Sequence, residues 1–237
     1  GWRAVTGADL PLPDSTAIRN RHRPAAAAVD DDDAPPKRQL ELLVLDAFGV
    51  LFDADDDITT VLGPFVTENG GTDDAIEVAE RYRQASLGRL SAAEFWSSLR
   101  VEGDPEHLDH EFVARLPLTD GALTFLERAK LQGLTVACLA NGLSRWFDLL
   151  RRRDSLDVYC ETWLISSDIG VRKPDPAAYE ALQAATGVPL TNCLMIDDRV
   201  EHLEAARRVG MSTALFGSRS AEGTSHPHLD TFESLLS

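Results

Sequence analysis

The sequence predicts an α/β protein: a mainly parallel sheet core covered by helices and interrupted after its first strand by an all-helical insertion. Three observations lead there. From residue 119 onwards, helical and strand patterns alternate regularly, and parallel neighbours need crossover connections, which are usually helices. Residues 55–118 show only apolar side chains at three- and four-residue spacing, with no strand pattern among them. The first strand lies in LELLVLDAFGVLFD, residues 40–53, and its apolar run stops at an acid, Asp46. In open α/β sheets that carboxyl edge is where ligands bind.

Residues 1–38 mix Pro, Ala, Arg and the acidic run 30–33 without a sustained apolar period. Such a stretch cannot bury enough surface to offset its ordering entropy, so a disordered leader is expected, its arginines solvated. The core domain is then 39–54 with 119–237, and the helical cap domain is 55–118. After the opening strand and a Gly- and Asp-rich loop, helices are expected over 58–67, 73–87, 91–100 and 105–116. Ser91 lies three residues before Glu94, which is the spacing of a capping box. The core resumes with a helix over 120–132 closed by Gly133 and a strand over 134–139. A helix over 144–153, a strand over 162–165, a helix over 176–186 and a strand over 193–196 follow. The last elements are a helix over 199–209, a strand over 212–216 and, after a polar turn, a short terminal helix within 225–237.

An apolar content of 43% and a charged content of 26% belong to an ordinary folded protein. The net charge of −16 argues against nucleic acid or an anionic membrane as the main partner. No apolar run approaches the length of about 18 residues that a membrane span needs. Cys138, Cys160 and Cys193 follow no metal or disulfide spacing and read as buried reduced thiols, which points to the cytoplasm. The expected partner is a small anion held by local basic residues. The oligomeric state has no signature.

Chemistry gathers at the strand ends. Asp46 follows the first strand, Ala140, Asn141 and Gly142 the second, and Asp197 and Asp198 the fourth, while Lys173 lies in a loop before a helix. Parallel, adjacent strands would bring these groups to one crevice. Clustered carboxylates raise each other's pKa unless a cation neutralises them, and hard oxygen ligands beside a phosphate are the usual surroundings of Mg²⁺. Asp197 and Asp198 on their own would equally suit a helix N-terminus, where acids are favoured.

Four motifs in order, LVLDAFGVLFD, TVACLANG, VRKPDPAAYEAL and CLMIDDRVEHLEAARRVG, resemble those of the haloacid dehalogenase (HAD) superfamily, in the subgroup with a helical cap inserted after the first motif. The cap segment GRLSAAEFW is similar to that subgroup as well. The likeness covers about residues 40–217 and implies a Rossmann-like core. It also implies that Asp46 attacks the substrate to form an aspartyl ester, which water then cleaves. Lys173 would keep Asp46 ionised and neutralise the substrate. Asp46, Asp197 and Asp198, with the backbone carbonyl of Phe48, would hold Mg²⁺, and Asn141 and Gly142 would offer amides to the substrate's oxygens.

Two positions depart from the pattern. Phosphatases of this family carry a proton-donating Asp where this chain has Phe48, and a Ser or Thr where it has Ala140. General acid assistance is typically a factor of about 10² to 10⁴, so the first implied activity is a slow Mg²⁺-dependent phosphatase of small phosphorylated metabolites. The second is a 2-haloacid dehalogenase, whose members have an aromatic at the Phe48 position and whose halide needs no proton. Such enzymes use an arginine in or near the cap, where Arg81, Arg83, Arg89 and Arg100 are available. A third reading is a catalytically degenerate binding or regulatory protein. His202 stands where the family often has Asn and is expected at a helix surface or site rim. His107, His110, His226 and His228 read as surface histidines, and Trp96, Trp146 and Trp163 as core or cap-interface residues.

Overall fold

The computed structural model describes residues 40–54, 57–217 and 223–236. The expected leader, 1–38, lies outside them. Among the described residues six strands form one sheet: β1 Leu42–Leu45, β2 Thr135–Ala140, β3 Thr162–Ile165, β4 Cys193–Asp197, β5 Ser212–Phe216 and β6 His228–Leu229. Their order is β3-β2-β1-β4-β5-β6, and every pairing is parallel. Because side chains alternate across a strand, β1 feeds two cores. Leu43 and Leu45 join one apolar cluster, Leu42 and Val44 the other. A central parallel strand needs an apolar residue at every position, and LLVL supplies it with all four residues buried.

Between β1 and β2 the chain is helical: a π-helical turn Asp57–Leu62, then α1 Gly63–Glu68, α2 Ala75–Ala85, α3 Ala92–Ser98, α4 Pro105–Val113 and α5 Ala122–Leu131. The capping box at Ser91 and Glu94 forms. Asp74 caps α2, its carboxylate accepting from the backbone N–H groups of Ile76 and Glu77. Beyond β2 come α6 Ser144–Arg153, α7 Ser166–Ile169, α8 Pro176–Thr186, α9 Val200–Arg208 and α10 Glu233–Leu236. One face of the sheet packs against α8 and α9 through Tyr179, Leu182, Leu203 and Ala206. The other face is continuous with α5, α6 and the inserted helices through Phe65, Trp96, Phe112, Phe125 and Trp146.

Two elements escaped the sequence pattern. Four-residue α7 and two-residue β6 are too short to show a period, and β6 falls where a polar turn was expected. The same region carries a correction: His226 is buried rather than superficial, with Nδ1 2.8 Å from Thr213 Oγ1 and Nε2 3.1 Å from a Glu204 oxygen. His107 and His110 are exposed as expected. Trp96 and Trp146 are core residues.

Candidate active site

β1 and β4 are neighbours with Leu45 opposite Ile196, so the next residues, Asp46 and Asp197, lie side by side at the carboxyl edge. The Asp46 N–H donates to the Ile196 carbonyl at 2.9 Å, and its own Oδ1 accepts from the Ala47 N–H at 2.7 Å. Lys173 joins the two acids: Nζ stands 2.9 Å from Asp46 Oδ1 and 2.7 Å from Asp197 Oδ2, with no side-chain exposure. Asn141, at the end of β2, fixes the lysine's backbone. Its Oδ1 accepts from the Lys173 N–H and its Nδ2 donates to the Lys173 carbonyl, both at 2.9 Å. On the far side of Asp197, His202 Nδ1 lies 3.1 Å from both carboxylate oxygens.

Burial and the neighbouring charge divide the two acids. Burial, reinforced by the charge of Asp197, raises the pKa of Asp46 above its usual 3.8, against the opposing pull of Lys173 and His202. For Asp197 burial also acts upward, but Lys173 and His202 together overcome it and hold the group well below the usual carboxylate range. Lys173 loses some basicity to burial and regains more from Asp197 and Asp46, so it stays an ammonium. The site therefore contains a firmly ionised acid, a firmly charged amine and a carboxylate whose ionisation depends on both.

The other predicted residues take different places. Phe48 lines the same crevice as Asp46, its ring stacked on Phe147 at 5.0 Å and edge-on to Phe52 at 6.3 Å. Asn141 lines it too, although its side-chain amide is committed to Lys173. Gly142 donates its N–H to Ser166 Oγ at 3.0 Å, and Ala140 is buried at the end of its strand. Asp198 is packed beneath the first-motif loop: Gly49 has φ +84°, and a Cβ there would meet Asp198 Oδ2 at 2.6 Å. Only glycine combines that conformation with that approach.

Sequence reasoning missed most of the crevice wall. A cavity of about 220 Å³ is lined by Asp46, Phe48, Asn141 and Lys173, and also by Ile58, Tyr82, Arg172, Arg199, Glu201 and His202. Ile58 and Tyr82 come from the inserted helices. Their apolar spacing signals burial without saying against what. His202, expected at a helix surface or the site rim, is at the site and buried there, because α9 starts beside Asp197 and turns this residue back onto it. The departure from Asn is the signal that marked it in the sequence.

The donor set can be tested against a divalent cation. Ligand atoms of Asp46, Asp197 and His202 all lie within 4.8 Å of one another. Two carboxylates offer the hard oxygens that Mg²⁺ prefers, and the cluster's negative charge fits a cation; the imidazole nitrogen is the less suited neighbour. Among the described residues no helix is long and apolar enough to cross a membrane.

A parallel α/β sheet with paired acids and an ammonium at its central strand ends defines a Rossmann-like enzyme built to work at that edge. The chain belongs to the haloacid dehalogenase-like hydrolases, whose family model matches residues 40–210. It is 41% identical over 95 residues to phosphatase MT3486 of Mycobacterium tuberculosis, a match covering 38% of this chain and 42% of that protein. It thus spans less than half the length of that relative. Over 193 residues it is 24% identical to (S)-2-haloacid dehalogenase 4A of Burkholderia cepacia, covering 73% of this chain and 81% of the relative. Its fold is shared by the HAD family enzyme BT-2542 of Bacteroides thetaiotaomicron, solved in complex with magnesium and inorganic phosphate: TM-score 0.63, 17% identity, 78% of this chain and 98% of that one.

Proposed function

We propose that this hydrolase is a Mg²⁺-dependent phosphatase of small phosphorylated metabolites that works through an aspartyl phosphate at Asp46. The observation that carries the proposal is the buried triad in which Lys173 touches both Asp46 and Asp197. An Asp46 oxygen forms the new bond to phosphorus while the bond to the leaving oxygen breaks; water then attacks phosphorus and frees Asp46 and phosphate. Lys173 keeps Asp46 ionised and offsets the negative charge of the phosphoryl group. Asp46 and Asp197, with Asp198, would hold Mg²⁺, which when bound neutralises charge on the phosphoryl oxygens. Phe48 cannot protonate the leaving oxygen, so the proton comes from solvent and turnover is slow.

The helices between β1 and β2 serve in this reading as a cap, since Ile58 and Tyr82 form the roof of the crevice. Buried, unpaired Cys138, Cys160 and Cys193 suit a reducing cytoplasm. A second reading, carbon–halogen hydrolysis, is favoured by one observation: an aromatic residue, Phe48, lines the same crevice as Asp46 at the position where a proton donor would otherwise stand. The relationship to a haloacid dehalogenase supports it.

Phosphatase assays with and without Mg²⁺, run beside Asp46→Asn, test the first reading. Metal-dependent phosphate release that vanishes in the variant is expected; release that survives the substitution rejects the mechanism. Chloride release from 2-chloropropionate in the presence of a chelator, without phosphate release from any ester, would turn the assignment to the second.

A further inference from the structure

Of the described residues in the insertion, Ile58 and Tyr82 line the crevice. The arginines named there from the sequence do not: Arg83 pairs with Glu80, Arg100 pairs with Glu77, Arg89 bonds Gln84, and these three and Arg81 are all exposed. Tyr82 is tied to the core. Its hydroxyl donates to the Asn141 carbonyl at 3.0 Å, its ring stacks on Trp146 at 6.0 Å, and the Arg172 guanidinium lies over it at 5.5 Å. Ile58, half-buried on the π-helical turn, has a different second neighbour. It also lines another cavity, of about 200 Å³, with Pro64 of α1, Thr72 and Asp73 of the following loop, and Ala75 and Val78 of α2. Among the described residues, Ile58 is the one common to both linings. A Cβ on Gly63 would stand 3.1 Å from the Ile58 carbonyl oxygen, so this glycine lets α1 begin close against the turn. Such π-helical turns are rare and frequently stand at functional sites.

We propose that Ile58 is the specificity-determining residue that limits substrate length: its side chain is the partition between the crevice and the second cavity, and a longer leaving group needs the space behind it. Three features carry this. The crevice alone, at about 220 Å³, is smaller than the pockets of about 300–1,000 Å³ that take drug-sized ligands, and joining the second cavity to it nearly doubles the space. An isoleucine is branched at Cβ and has one strongly preferred χ1 in a helical backbone, so it makes a firm wall where an unbranched side chain would swing aside. Beyond the wall, the only charged group among the described lining residues is Asp73, so the second cavity suits a neutral tail and has no basic group to draw a second anion. The inference rests on the proposal that the reacting group sits against Asp46 and Lys173.

Binding of non-hydrolysable straight-chain alkylphosphonates, from methylphosphonate upwards, to the full chain with Mg²⁺, followed by calorimetry, separates this claim from the chemistry. Wild-type affinity is expected to drop by about 10- to 200-fold at the methylene that first meets Ile58, the discrimination one methylene commands in a closed apolar pocket. In Ile58→Ala the drop should move to longer chains, and in Ile58→Val, which is one carbon shorter, it should move the same way by less. Ala75 is exposed on the rim of the second cavity. Adding Ala75→Phe to Ile58→Ala refills that space and should bring the drop back towards its wild-type length. A wild-type series without a drop, binding of no probe, a drop that stays in place in both Ile58 variants, or a gain that Ala75→Phe leaves untouched would each overturn the assignment. A drop that moves as described without any turnover would keep Ile58 in this role and reject the phosphatase reading; phosphate release through Asp46 with a drop indifferent to Ile58 would do the reverse.

Discussion

Lys173 is the residue on which the site's charge balance turns. Its ammonium sits between two buried carboxylates, and removing one partner of a buried ion pair leaves uncompensated charge that costs about 3–5 kcal/mol. Lys173→Met should therefore lower denaturant stability by that order as well as abolish turnover. Burial and the neighbouring carboxylate set the titration of Asp46. Without metal, burial and the charge of Asp197 raise the pKa of Asp46 above 3.8, so a titration of the Mg²⁺-free protein followed by nuclear magnetic resonance should place its midpoint above that value. A midpoint at or below 3.8 would contradict that electrostatic picture. Phe48 is the other decisive position. Phe48→Asp combined with Ala140→Ser restores a proton donor and a hydroxyl, and phosphate release should rise by about 10² to 10⁴; no increase would mean that these groups are not what limits the wild type. Asp46 and Asp197 were legible in the sequence because adjacent parallel strands bring their ends together, and Lys173 because its motif resembles the family's. Arg172 and Tyr82 were not, because their meeting depends on how α2 docks, and no local pattern encodes that.

At the level of elements, the inserted helices are anchored to the core by polar contacts that a hydrophobic pattern cannot show. Asp109 on α4 accepts from the indole N–H groups of Trp96 on α3, at 3.0 Å, and Trp146 on α6, at 2.7 Å. Nearby, Tyr82 donates to the Asn141 carbonyl at 3.0 Å and Ser166 to the Ser86 carbonyl at 2.5 Å. Arg153, at the end of α6, donates to the carbonyls of Val113 and Leu116, closing the far end of the insertion. Asp109→Leu strands two buried indole donors, each costing about 1–3 kcal/mol, whereas Asp109→Asn keeps an acceptor and should lose much less. The contrast has a pH signature. Burial, outweighing the indole donors, raises the pKa of Asp109 above its usual value. Its contribution to stability is full below the unfolded value and fades as pH rises through the folded one. Because Asn does not titrate, the melting temperature of Asp109→Asn should gain on the wild type between about pH 3 and pH 7; a difference that stays constant would show that Asp109 is not so perturbed.

Across the whole molecule, a mainly parallel sheet was readable from alternation, since helices between strands force parallel crossovers, but the order of its strands was not. The shared core was not. One apolar cluster runs from β1 through Phe48, Phe147 and Trp146 to Phe65, Trp96 and Phe112 of the insertion. Helical periodicity showed that each inserted helix has a buried face; it could not show that these faces and one side of the sheet form a single core. That continuity predicts joint unfolding: near- and far-ultraviolet circular dichroism should report one coincident transition in denaturant, and an earlier loss of helix would contradict it. Ile58 and Tyr82 of the insertion also line the same cavity as Asp46, so that packing and chemistry share the same residues. The central claim is that Asp46 becomes covalently bonded during turnover. Acid quenching of the enzyme in steady state with acetyl phosphate and Mg²⁺, followed by peptide mass spectrometry, tests it most directly. The expected result is a single phosphoryl increment on the peptide bearing Asp46, absent in Asp46→Asn; phosphate release with no adduct on that peptide, or with the adduct elsewhere, would contradict it.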